Sequence, residues 1–145
     1  MIDVALYLKI ILAALFGALI GFSREKERKA AGLRTHILVC VASTLFTLVS
    51  IVAAVNFPGG DASRIASSIV TGIGFIGAGT ILQYGGSIIG ITTAASIWTT
   101  AAIGMALGFG YFEGAAAVTV TSFLVLTFLH KFEIKYLREE NKDEH

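Results

Sequence analysis

Two polar sets interrupt an otherwise apolar sequence: Arg24, Glu25, Arg34, Thr35 and His36, and further on Thr92, Thr93 and Ser96. If Thr92 opens a helix, the first N–H groups there are unpaired and the dipole end is positive, an arrangement that takes an anion or a carboxylate. Glu25 is the candidate carboxylate. A plainer arrangement has Thr92 capping its own helix while Glu25 pairs with Arg34 or Lys29, and the residues by themselves leave both open. Asp61 and Arg64 form a third, separate pair, in which Asp61 suits a helix cap and Arg64, one turn on, is its natural ion-pair partner.

Other chemistries find little to work with. A magnesium site calls for hard oxygen ligands, usually carboxylates with retained waters, and the apolar stretches carry none beyond Asp61 at a rim. His36 has no second His, Cys or carboxylate three or four residues on, so it reads as a hydrogen-bonding residue at a helix entry rather than a metal ligand. No Ser, Thr or Cys stands at motif spacing from a base, so neither a catalytic residue nor an enzymatic activity is assigned. Cys40 is the single cysteine and reads as a small apolar residue inside a helix. Gly72-x-Gly74-x-x-Gly77 has the spacing of a dinucleotide-binding turn, but it lacks a preceding strand, and no acidic residue follows until Glu113. No cofactor and no nucleic-acid partner is expected.

The elements that hold these residues must lie in a membrane. The chain is 55% hydrophobic and 14% charged, with a mean hydropathy of +0.79, far from a soluble domain. Between Arg34 and Lys131 the charged residues are Asp61, Arg64 and Glu113, and nine of the eleven Lys and Arg fall within Arg24–Arg34 and Lys131–Lys142. The N-terminus, with Asp3 and no basic residue before its apolar run, reads as a retained helix rather than a cleavable signal. An all-α membrane protein follows, a bundle of about five transmembrane helices. Residues 1–129 form the membrane domain and residues 130–145 a charged cytoplasmic tail.

Val4–Phe22 is the first span, with Gly17-x-x-x-Gly21 as a packing motif and Lys9 snorkelling outward. The charged connection Ser23–Arg34 leads to a second helix capped by Thr35 and ending near Asn56, and Phe57–Gly60 turns. The third span runs from about Arg64 to Leu82. Its Gly72 and Gly79 fall on one side, Gly74 and Gly77 on the other, so that both faces invite close neighbours and the rest of the chain is expected to pack around it. Gln83–Ile91 reads as an uncharged return loop. The fourth helix, Thr92 to about Leu107, carries Trp98 and a smooth Ala-Thr-Ser surface that makes it the hairpin partner of the third. Ala115–Leu129 is the fifth, short unless it starts at Tyr111 or Phe112. A helical extension over His130–Arg138 would lie near the headgroups. The basic first loop places the N-terminus outside and the C-terminus in the cytoplasm.

Taken in order, Gly21–His36, Asp61-x-x-Arg64, Gly72-Ile-Gly-Phe-Ile-Gly-Ala-Gly79 and Gly90-Ile-Thr-Thr-Ala-Ala-Ser-Ile-Trp98 resemble the MgtC/SapB family of membrane proteins over about residues 5 to 125. The family pattern has an acidic residue where Ser23 stands and a basic one where Ile88 and Ile89 stand. Members with a soluble C-terminal regulatory domain add a stretch not expected here. The resemblance implies a multi-pass protein of the bacterial inner membrane, connected with magnesium homeostasis and growth at low magnesium. It also implies action by regulating other membrane proteins, the ATP synthase among them. Implied partners are the lipid bilayer, other membrane proteins and a second copy in a homo-oligomer. The alternative is a transporter or channel for magnesium or another small solute, with the third helix unwinding to expose its carbonyls.

Overall fold

The computed structural model describes residues 4–129, so the expected headgroup extension and charged tail lie outside the described residues. Five helices follow one another: α1 (Val4–Lys26), α2 (Leu33–Asn56), α3 (Ala62–Ala78), α4 (Ile91–Phe109) and α5 (Phe112–Leu124), the last continued by a π-helical turn over Val125–Leu129. Between α3 and α4 lies a small antiparallel hairpin of β1 (Leu82–Tyr84) and β2 (Ser87–Ile89). Helices α1, α2, α4 and α5 with its π turn are long and apolar enough to cross a membrane. At 17 residues α3 is shorter, about 25 Å at 1.5 Å per residue against a hydrocarbon core of roughly 30 Å. The chain is an all-α membrane protein. On α1 alone, Leu8, Ile11, Leu15, Leu19 and Phe22 are all more than half exposed at helical spacing, a face stable against lipid but not against water.

The packing centre is α2 with α4, not the glycine-bearing helix that the sequence suggested. One apolar cluster joins Ala13 and Ile20 of α1 to Cys40 of α2, Ile103 and Leu107 of α4, and Ala115 of α5. A second joins Val39 of α2 to Ile97 and Ala101 of α4 and to Ile69 and Ile73 of α3. Only α2 and α4 contribute to both, and α3 sits at the edge. The reason is visible in its burial: Ala66, Ile69, Ile73 and Gly77 form a single buried stripe, whereas a Cβ on Gly72 or Gly74 would meet nothing within 4 Å.

Close backbone approach occurs instead at other glycines. A Cβ on Gly17 would lie 2.6 Å from the His36 carbonyl oxygen and one on Gly21 2.7 Å from Leu33 Cα, which seats α1 on α2 as the small-residue motif implied. Gly104 and Gly108, four residues apart, press against Cys40 and Thr47 and bring α4 to backbone distance from α2. The hydroxyls inside are closed onto backbone: Thr44 Oγ1 donates within reach of both the Cys40 and Gly104 carbonyls, each at 2.9 Å. Ser50 donates to Ala62 O, tying α2 to the start of α3.

Helix ends differ from the expected ones for identifiable reasons. Helix α1 runs on to Lys26 and stops in a Schellman arrangement, with Lys29 N–H on Arg24 O, Arg28 N–H on Glu25 O, and Arg28 left-handed at φ 54°. The α2 cap is Gly32, not Thr35. The α3 helix ends at Ala78 rather than Leu82, because Gly79 and Thr80 turn the chain into the hairpin, whose Gly85-Gly86 corner has both φ values positive, as a two-residue turn of this kind demands. Helix α4 starts after Gly90, not at a Thr92 cap. Gly90 sits at φ 94°, and a Cβ there would collide with Thr80 O. Lys9 donates to Gly108 O at 2.8 Å, covering a carbonyl that the end of α4 leaves without a helical partner.

Candidate functional site

At one end of the bundle the C-terminus of α1 and the N-termini of α2 and α4 converge, and their polar residues meet. Arg24 is buried, and its Nη2 donates to Thr93 Oγ1 at 3.2 Å while Nη1 pairs with Glu27 at 3.4 Å. Its Nε has no hydrogen-bond partner. His36, fully buried on the first turn of α2, has Nδ1 2.8 Å from Gly32 O and Nε2 3.1 Å from Ser96 Oγ. Ser96 Oγ in turn lies 2.8 Å from Thr93 O. A continuous polar track thus runs Glu27, Arg24, Thr93, Ser96, His36 and Gly32 across three helices. Beside it Ser23 Oγ and Thr127 Oγ1 are 3.0 Å apart, linking α1 to the π turn.

Of the two polar sets that the sequence singles out, the structure joins some members and leaves others apart. Arg24, His36, Thr93 and Ser96 form the track. Glu25 serves neither the α4 N-terminus nor Arg34 and Lys29: its Oε2 accepts from Leu33 N at 3.0 Å and so caps α2 across the loop. A side chain on Gly32 would occupy the place of that carboxylate. Arg34 and Thr92 are exposed, and Thr35 is half-buried. Trp98 points away from the track, half exposed in a groove between α3 and α4 with Val70 and Met105. Gly77 is the one member of the expected packing set that faces another helix, where an added Cβ would lie 3.5 Å from Ala94 Cβ; Gly72 and Gly74 are open, and Gly79 lies against carbonyls at the end of its own helix.

Asp61 and Arg64 lie at the opposite end. Asp61 caps α3 as expected, accepting from Ser63 N–H at 2.8 Å and Ser63 Oγ at 2.7 Å. These bonds, the backbone one foremost, hold its carboxyl below the usual carboxylate range, with Arg64 adding to the effect. Yet the carboxylate and Arg64 do not close into an ion pair: Arg24–Glu27 is the bridge that forms among the described residues. The same residues hold no cluster of three His, Cys, Asp or Glu that could grip a metal.

Sequence reasoning passed over Glu27, Ser23 with Thr127, and the threonine and serine seam of α2. Ser43 and Thr44, then Thr47 and Ser50, fall on one side of a helix that is mostly apolar, and that spacing was the available signal.

A bundle of lipid-faced helices closed around hydroxyls, with one polar convergence at the level of three helix ends, defines a polytopic α-helical membrane protein. The chain belongs to the MgtC family: a family model described by that name matches residues 10–135. It is 44% identical over 143 residues to a protein of Escherichia coli K12 named "Putative magnesium transporter YhiD", covering 95% of this chain and 65% of that one. It is 43% identical over 113 residues to Protein MgtC of Salmonella typhimurium LT2, covering 78% of this chain and 47% of that one. Protein SapB of Bacillus subtilis 168 is 40% identical over 134 residues, which span 88% of this chain and 58% of SapB. The chain thus spans between about half and two thirds of the length of these relatives. No solved structure matches it.

Proposed function

We propose that this chain is a multi-pass protein of the bacterial inner membrane. Its role is magnesium homeostasis, or adaptation to low magnesium, through contact with and regulation of other membrane proteins, the ATP synthase among them. The link to magnesium rests on family membership and on the name that YhiD carries. The positive-inside rule supports placing the end with Arg24, Lys26, Arg28, Lys29 and Arg34 in the cytoplasm and the N-terminus outside.

The observation that carries a regulatory rather than a conducting role is how the central helices close. Helices α1 and α2, and α2 and α4, touch at backbone distance through Gly17, Gly21, Gly104 and Gly108. The inner hydroxyls of Thr44, Thr47, Thr100 and Thr119 each donate to a carbonyl one turn back. With their protons held by their own helices and their side chains buried, these hydroxyls sit in packed helix contacts rather than along an open path. Helix α3 keeps a regular helix through its glycines instead of opening them. What remains for partners is the outer surface, where the α3–α4 groove with Trp98 suits a helix of another membrane protein or of a second copy.

Magnesium uptake into proteoliposomes holding this protein alone tests the choice. Background flux is expected. Robust, selective magnesium uptake with no partner present overturns the regulatory role and favours the transporter, to which the name of YhiD points.

A further inference from the structure

The face between α2 and α3 holds an open apolar groove of about 520 Å³. Its walls include Leu38 and Phe46 of α2 and Ile65 and Ile76 of α3, and Gly72 forms an open stretch where a Cβ would touch nothing. From Ile65 to Ile76 it runs about 16 Å along the helix axis, the depth of one leaflet of a hydrocarbon core roughly 30 Å thick. At the α2–α3 turn it adjoins a second hollow of about 410 Å³, which shares Ile65 and Ser68 with it and is lined also by Asp61 and Arg64. An apolar groove a leaflet deep therefore ends beside a hollow that presents one carboxylate and one guanidinium.

The two charges are available. The Asp61 carboxylate is exposed, and the bonds from Ser63 favour its ionised form. Among the described residues no hydrogen bond or ion pair engages the Arg64 guanidinium, and Ser67 and Ser68 turn their hydroxyls back onto the Arg64 carbonyl. A side-by-side anion and cation at the mouth of an acyl-sized groove complement a headgroup that also carries both signs. A phosphate alone would gain Arg64 but face Asp61, whereas a phosphate with an amine satisfies both.

We propose that this groove holds one zwitterionic aminophospholipid of the surrounding bilayer. An acyl chain lies between α2 and α3, the phosphate on Arg64 and the ammonium on Asp61. No bond is made or broken. The site is independent of the polar track at the other end and of whether the protein regulates or transports.

Native mass spectrometry of the detergent-purified protein tests this, with phosphatidylethanolamine and phosphatidylglycerol of identical acyl chains added together at equal concentration. The expected result is one phosphatidylethanolamine retained per chain in preference to phosphatidylglycerol. Arg64→Gln should weaken retention of both lipids by about tenfold, the loss of one charge-assisted contact. Asp61→Asn, which keeps a capping side chain, should erase the preference between headgroups without abolishing retention. Gly72→Leu, which fills the groove, should lower retention of both. Equal retention of the two lipids by the unaltered protein, preference for phosphatidylglycerol, no retained lipid, or indifference to both surface substitutions overturns the proposal.

Discussion

His36 and Ser96, 60 residues apart in sequence, meet with Nε2 3.1 Å from Oγ, and the second imidazole nitrogen, Nδ1, lies 2.8 Å from Gly32 O. A carbonyl only accepts, so Nδ1 carries a proton and donates to Gly32. In the neutral ring Nε2 is then an acceptor, and the single Ser96 proton has two claimants, Nε2 and Thr93 O at 2.8 Å. One fully buried ring thus joins the first turn of α2 to α4 by using both of its nitrogens.

The first prediction removes that ring. His36→Ala leaves a cavity and removes both imidazole hydrogen bonds, although Gly32 O keeps the backbone N–H of residue 36, and should cost about 2–4 kcal/mol of stability in detergent. Ser96→Ala keeps Gly32 partnered and should cost about 1 kcal/mol. Thermal unfolding of the two variants checks the ranking, and equal small losses would show that the imidazole is not the tie between the helices.

A second prediction concerns glycines. Gly104→Ala and Gly108→Ala push a methyl into α2 backbone or Thr47 and should lose about 1–3 kcal/mol each by overpacking. Gly77→Ala meets Ala94 Cβ at an ordinary 3.5 Å and should be nearly neutral, while Gly77→Leu should destabilise. Gly74→Ala adds a methyl to open space and should be neutral or slightly stabilising, because it removes the cost of a glycine inside a helix. Membrane abundance and detergent melting of the set check the order.

Much of this was legible and some was not. Apolar run lengths gave the spanning helices, because crossing lipid forces long uninterrupted helices, and Asp61 followed by Ser63 gave the α3 cap. The importance of α3 was overestimated because four glycines in a row of eight residues show that close approach is allowed, not that it happens. Burial of only one stripe, through Ala66, Ile69, Ile73 and Gly77, placed it at the edge. The hairpin was missed although Gly85-Gly86 flanked by Leu-Gln-Tyr and Ser-Ile-Ile is a two-residue turn signal. The role of Glu25 depended on a contact eight residues away across a loop, which no periodicity encodes.

The third prediction uses pH. Hydrogen bonds from Ser63 lower the Asp61 pKa in the folded protein from its ordinary 3.8. A depressed carboxyl contributes stability above the unfolded value and loses it as pH falls through the folded one. The start of α3 should therefore keep its protection at neutral pH and fray progressively below about pH 4. Hydrogen exchange of the Ser63 amide reads this directly. Asp61→Asn, a cap that does not titrate, should flatten the response in that range.

The last prediction separates structure from function at Arg24. Its guanidinium is 3% exposed, with Thr93 and Glu27 engaged and Nε unpaired. A buried unpaired donor costs about 1–3 kcal/mol, which Arg24→Met removes, whereas taking away one partner of an ion pair is costly only when the other is left buried. Glu27 at 20% exposure is nearer to water than Arg24 and is the partner better able to stand alone. Arg24→Met, which keeps a long stem and removes the charge, should therefore leave the detergent melting temperature unchanged or raise it. If the track of Arg24, Thr93, Ser96 and His36 serves the proposed regulatory role, the same variant should lose the ability to support growth at low magnesium while reaching normal membrane abundance. Arg24→Lys, which keeps the charge but not the fork that reaches both Thr93 and Glu27, should retain part of it. A large fall in melting temperature for Arg24→Met would make Arg24 a structural tie and move the functional assignment elsewhere on the track.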